Sequence, residues 1–121
     1  MPRAGGQKKL SKEALKAYRG PFPTRKSRYP TYVFPRELRG SHAFFNEVAD
    51  NLSHLSHLPL LLTWGEADPA LSMERFGHRF EQTFPNHHTV ILEGAGHFFQ
   101  EEVPEQVTAA VRQWWKDKIH T

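Results

Sequence analysis

Apolar residues recur along this chain in different rhythms, and each rhythm dictates an element. Between Ser41 and about Leu58 the positions Phe44, Phe45, Val48, Leu52 and Leu55 return at helical spacing, which predicts an amphipathic helix ended by Pro59. The run LPLLLTW that follows is continuous, too short for such a helix and bounded by Gly65, so it reads as a strand buried on both faces, the signature of a parallel sheet. From Ser72 to Phe84 a second helical stripe carries Met73, Phe76, Phe80 and Phe84, and Pro85-Asn86 closes it. HTVILEG is a second strand, after which Gly94-Ala95-Gly96 turns the chain sharply. Pro104 and Glu105 open a last helix through Val107, Val111 and Trp114 that finishes with Lys116 and Lys118, charges that suit the helix dipole at both ends. The order is helix, strand, helix, strand, helix. This predicts an α/β fold built on a βαβ unit, two parallel strands with flanking helices and a right-handed crossover.

The N-terminal third lacks this regularity. Residues 1 to 10 contain Gly5-Gly6 and no apolar period, which predicts a disordered start. Ser11 can cap a short helix from Lys12 to Arg19, with Leu15 and Tyr18 on one face and Gly20-Pro21 as its stop. In PFPTRKSRYPTYVFPREL, the residues before Pro21, Pro23, Pro30 and Pro35 are disfavoured in helix, so extended, irregular chain with aromatic anchors is expected. No internal repeat is visible.

Composition narrows the function classes. The hydrophobic fraction of 38% and charged fraction of 24% are ordinary for a soluble chain, yet the mean hydropathy of -0.64 leans polar for one expected to close its own core. With no cysteine, disulfides, thiolate metal sites and cysteine nucleophiles are excluded; nothing demands an oxidising compartment, and a cytoplasmic setting is the default expectation. No apolar run approaches the roughly 20 residues of a membrane span, and no apolar segment follows the charged start, so neither membrane insertion nor secretion is expected. Residues 1 to 40 hold eleven Lys and Arg against two Glu, whereas residues 41 to 121 hold five against eleven acids. The two halves differ in character.

Candidate chemistry lies at the strand ends. In a parallel α/β sheet, ligands bind outside the carboxyl ends of the strands, where loops converge. Directly after the first strand stands G-E-A-D, giving Asp68; directly after the second stands G-A-G-H, giving His97. A carboxylate there can accept the imidazole N–H, fix its tautomer and stabilise the imidazolium formed when the other nitrogen takes a proton. The plainer readings are that Asp68 caps the helix near Pro69 and that His97 is one exposed histidine among eight. Each suffices for either residue alone. The pair, both at strand ends and in the order acid then histidine, is more specific.

LLLTWGEADPAL, TVILEGAGHFFQEEVPEQV and the C-terminal RQWW resemble the last two strands and closing helix of α/β-hydrolases, and H-F-F-Q-E-E resembles haloalkane dehalogenases in particular. AYRGPFPTRKSRYPTYVFPREL is similar to the end of that family's cap domain, so the resemblance covers about residues 11 to 118. It implies the C-terminal part of an α/β-hydrolase fold, with residues 11–40 as the end of the cap region and 41–121 as part of the core. It further implies Asp68 as triad acid and His97 as the base that drives water onto a covalent ester intermediate, with a small-molecule substrate and no metal or organic cofactor. The family nucleophile, an aspartate or a serine, sits on a G-x-D-x-G or G-x-S-x-G elbow. This sequence contains neither motif. Without a nucleophile and transition-state donors, no turnover by the chain alone is expected. A two-stranded sheet also cannot cover LPLLLTW, so a homodimer or an N-terminal complementing fragment is an expected partner. Glu66, two residues before Asp68, is an alternative acid, and some dehalogenases place theirs after an earlier strand; the family register favours Asp68.

Two other function classes compete. Arg25, Lys26, Arg28, Arg36 and Arg39 interleave with Tyr29, Tyr32 and Phe34, residue types that grip single-stranded nucleic acid in a binding module. Aromatic anchors beneath solvated charges explain the same residues and are the favoured reading, which burial of those rings would support. His54 with His57, and His87 with His88, could suggest a metal site, but two ligands do not make one, and solvated histidines account for them. Trp64 and Trp114 are expected in packing roles, and Trp115 partly exposed.

Overall fold

The strands form where the apolar runs place them. In the computed structural model, which describes residues 9 to 119, β1 (Leu60–Gly65) and β2 (His87–Leu92) pair in parallel, with Leu60 opposite His87 and Gly65 opposite Leu92. Leu60 N–H donates to the Asn86 carbonyl at 2.9 Å as the chain enters the pair, and Glu66 N–H to the Leu92 carbonyl at 3.1 Å as it leaves. The crossover is a π-helical turn, Met73–Gly77, running into α4 (His78–Thr83). Ser72 caps that turn by accepting the Arg75 N–H at 3.3 Å. The expected continuous helix is wound differently over its first half: Gly77 is buried, and the Met73 side chain fills the space that a Cβ would need there. After β2 come α5 (Phe99–Glu102) and α6 (Pro104–Ile119). The last helix lies against both strands, and Lys118 Nζ donates to Asn86 Oδ1 at 2.8 Å beside the start of β2.

The expectation that the first strand is buried on both faces is corrected. Leu62, Phe84, Leu92 and Ala95 are buried, but Leu60 and Leu61 are only half-buried and Ile91 is exposed. The apolar run records the surroundings the strand requires, while α6 and the π-helical turn are too few to close two faces.

The residues divide into two compact units, Leu10–Leu52 and the segment from Ser53 onward. In the first, α1 (Lys12–Arg19) begins as the sequence predicts, with Ser11 Oγ accepting the Ala14 N–H at 3.1 Å. The irregular chain expected across the prolines is instead a helix, α2 (Tyr29–Gly40). Pro30 stands in the first turn, where a missing N–H costs nothing, and the turn before it is fixed by reciprocal bonds between Thr24 and Ser27. Pro35 lies inside the helix, which nevertheless continues to Gly40, where Ser41 N–H closes on the Glu37 carbonyl at 2.9 Å. The following helix is also shorter than expected. α3 covers His42–Asn51, and Leu52–Leu55 tightens into a 3₁₀ turn. Asn51 turns its side-chain amide back onto the Glu47 carbonyl at 2.8 Å, a local bond of the kind that competes with helix continuation.

Most of the disordered start expected over residues 1–10 lies outside the described residues; Lys9 and Leu10 carry no regular structure. Among the described residues no helix is long and apolar enough to cross a membrane.

Candidate active site

Two short loops at the carboxyl ends of β1 and β2 make the site. Beyond Gly65, Asp68 N–H turns back onto the Gly65 carbonyl at 3.3 Å, and Ala67 N–H donates to the Ala95 carbonyl at 2.9 Å, tying the first loop to the second. Beyond Leu92 the chain reverses at Gly94, whose φ of 65° is the left-handed conformation that glycine adopts without a Cβ penalty. The two loops bring Asp68 and His97 together. His97 Nδ1 lies 2.8 Å from Asp68 Oδ2, across 29 positions of sequence.

Asp68 performs both of the tasks that the sequence left as alternatives. Its Oδ1 accepts the N–H groups of Ala70 at 2.8 Å and Leu71 at 3.0 Å, which is local capping, while Oδ2 faces the imidazole. The side chain is 7% exposed. Desolvation is the largest single influence on this carboxyl and raises its pKa, but the bonds from Leu71 N–H, the His97 ring and Ala70 N–H together outweigh it and hold the group below its ordinary value. The ionised form is therefore the one that the loop is built around.

His97 has the complementary geometry. Its side chain is 35% exposed and packs edge-on to the Phe98 ring, centroids 5.1 Å apart. With Nδ1 directed at a carboxylate oxygen, the neutral ring carries its proton on Nδ1 and leaves the Nε2 lone pair available. Such a pair can take a proton from water or a hydroxyl and stabilise the resulting imidazolium.

Glu66, the alternative acid, does not face His97; its Oε2 accepts the Gly94 N–H at 2.9 Å. Trp64 supports the acid loop, its indole N–H donating to the Leu71 carbonyl at 2.8 Å. Trp114 is half-buried with an indole N–H that meets no acceptor, and Trp115 is exposed. Sequence reasoning missed Glu102, a buried carboxylate whose Oε2 accepts the Gly96 N–H at 2.9 Å. Its only signal was its place in the H-F-F-Q-E-E stretch that begins at His97.

The competing sites fare differently. Among the described residues no group of three or more His, Asp or Glu side chains is placed to hold a metal ion. His54 and His57 are exposed, and His87 Nδ1 lies 2.7 Å from the Phe84 carbonyl. The aromatic anchors expected to be buried are not: Tyr29, Tyr32 and Phe34 are all more than 60% exposed, with the Arg36 guanidinium 5.6 Å from the centre of the Tyr32 ring. Leu38, Phe44, Phe45 and Val48 of the same unit are exposed with them. A surface that mixes aliphatic and aromatic residues in this way has the character of an uncovered packing face more than of a row of base-stacking platforms.

Two parallel strands with flanking helices, whose successive ends carry a carboxylate and a histidine in contact with it, correspond to the C-terminal part of the α/β-hydrolase fold. No family model matches it. Haloalkane dehalogenases are among the relatives it matches. The chain is 29% identical over 109 residues to haloalkane dehalogenase 2 of Mycobacterium bovis, and 33% identical over 112 residues to a haloalkane dehalogenase of Bradyrhizobium diazoefficiens. These alignments take in 89% and 88% of this chain but 38% and 36% of the relatives, so it spans little more than a third of their length. The crystal structure of a loop variant of a haloalkane dehalogenase from Bradyrhizobium elkanii superposes with a TM-score of 0.76 at 33% identity, covering 91% of this chain and 38% of that one.

Proposed function

We propose that this chain supplies the acid and base of a haloalkane dehalogenase-type hydrolytic site: Asp68 orients His97, and His97 Nε2 removes a proton from water as the water oxygen attacks a covalent ester intermediate. Asp68 stabilises the imidazolium, which returns its proton to the departing alkoxide oxygen as the tetrahedral adduct collapses to the free acid and the product alcohol. The observation that carries this reading is the 2.8 Å contact of Nδ1 with a nearly buried carboxylate whose other oxygen is already anchored by two backbone N–H groups. The nucleophile must come from elsewhere, because no G-x-D-x-G or G-x-S-x-G elbow occurs in the 121 residues. In this reading residues 11–40 end a cap region, residues 41–121 belong to the hydrolase core, the substrate is a small molecule met in the cytoplasm, and the chain alone is inactive.

The test is halide release from a simple haloalkane by the purified chain, alone and mixed with an elbow-bearing N-terminal portion of a related dehalogenase. The chain alone is expected to be silent, and the mixture to gain activity that His97→Ala removes. Turnover by the chain alone that vanishes in His97→Ala would refute its dependence on a partner. Activity of the mixture that survives His97→Ala would refute the site.

A further inference from the structure

The His97 loop is pinned from several sides, and one of the pins is a carboxylate that the proposed chemistry leaves unused. Glu102 is a buried residue, 6% exposed, and its Oε2 accepts the N–H of Gly96 at 2.9 Å, immediately before His97. A glutamate in a four-residue helix after the histidine thus reaches back six positions to the peptide that aims it. The opposite side of the same segment offers no freedom: a Cβ on Gly65 would overlap the Gly96 carbonyl oxygen, and Ala67 N–H holds the Ala95 carbonyl at 2.9 Å. Glu66 takes the Gly94 N–H at 2.9 Å, but from an exposed side chain that water can replace. Gly96 N–H is the donor that water cannot readily reach, so its acceptor decides how the segment is held.

We infer that Glu102 is the positioning residue of the dyad, setting the orientation of the Gly96–His97 peptide so that Nδ1 meets Asp68. This rests on the acid–base reading of Asp68 and His97, and it assigns to Glu102 a function that acts through the loop without touching substrate. A charged acceptor makes the stronger bond to a backbone N–H, but the geometric demand is an acceptor oxygen at that place. Glutamine keeps such an oxygen and alanine does not. Loss of the acceptor leaves the Gly96 N–H buried and unpaired, and rotation of that peptide to find another partner carries the imidazole away from Asp68.

The test uses the whole chain with ¹⁵N-labelled histidine, following the Nδ1–H proton of His97 and the ring nitrogen shifts that report its tautomer; the signal is assigned by its loss in His97→Ala. In the unaltered chain it is expected downfield, and Asp68→Asn is expected to abolish it. Glu102→Gln should keep the signal and the Nδ1–H tautomer, whereas Glu102→Ala should lose both while its circular dichroism remains that of the unaltered chain. Retention of the signal in Glu102→Ala, its equal loss in Glu102→Gln, or general unfolding of Glu102→Ala would each overturn the positioning role. A signal missing from the unaltered chain, or indifferent to Asp68→Asn, would instead remove the dyad reading on which the role rests, so the two failures are distinguishable.

Discussion

Gly65 and Gly96 stand back to back where the two strand ends meet: a Cβ on Gly65 would overlap the Gly96 carbonyl oxygen and come within 2.8 Å of the Ala95 carbonyl oxygen. Both obstacles are backbone, so neither can rotate aside. Gly65→Ala should therefore push the histidine loop off the end of β1, costing about 1–3 kcal/mol of stability, the range for forced overpacking. Urea unfolding of the variant would show the loss, and an unchanged midpoint would contradict the tight approach.

Asp68 links the site to acid stability. Its folded-state pKa lies below the ordinary carboxylate value, although desolvation pushes the other way, because the Leu71, His97 and Ala70 bonds favour the ionised form. A lowered pKa means that this contribution is fully present above the unfolded-state value and is lost as pH falls through the lower folded-state value. Unfolding free energy measured against pH should thus fall more steeply on the acid side for the unaltered chain than for Asp68→Asn. Parallel curves would argue against the ionised, hydrogen-bonded carboxylate.

Leu92 is the one large side chain that is fully buried among the described residues. Leu92→Ala should cost about 2–5 kcal/mol, the usual range for a core leucine. Small domains are stable by only about 5–15 kcal/mol in total, so the variant is expected to lose a large share of its stability and to melt at a clearly lower temperature. Ile91, its exposed neighbour, provides the control, since Ile91→Ala should change the thermal midpoint little.

Phe44 and Phe45 pack edge-to-face with ring centres 5.5 Å apart, yet are 60% and 42% exposed. Paired exposed rings beside Val48 and Leu38 favour association with whatever apolar surface is at hand. Sedimentation of the chain should reveal concentration-dependent association, and the double variant Phe44→Ser, Phe45→Ser should shift it toward monomer. A monomer at every concentration before substitution would exclude this face as a driver.

Both strands and the contact between Asp68 and His97 were legible in the sequence, because LPLLLTW and HTVILEG encode their own conformation and the two residues stand within a few positions of the strand ends. What escaped depends on contacts that no local pattern contains. Pro30 and Pro35 argued for irregular chain, but one of them occupies a turn where helix tolerates it and the other costs a single bond within a twelve-residue helix. The π-helical winding at Met73–Gly77 goes with the packing of Met73 over Gly77, and the apolar stripe looks the same with or without it. Burial on both faces was inferred from a strand's composition, which reports its needs and cannot report its neighbours. Glu102 was invisible for a related reason: in a run of acids, only the fold reveals which one turns inward.

The dyad has a further property that comes from its connectivity. Its two members lie 29 residues apart on the loops that follow β1 and β2, so one loop closure suffices to bring them together. Closure entropy grows only slowly with loop length, each doubling costing about 0.6 kcal/mol, so this circuit costs little more than one half as long. The Asp68–His97 contact is thus closed by one crossover and the two loops that flank it, with no further strand needed to bring the pair together.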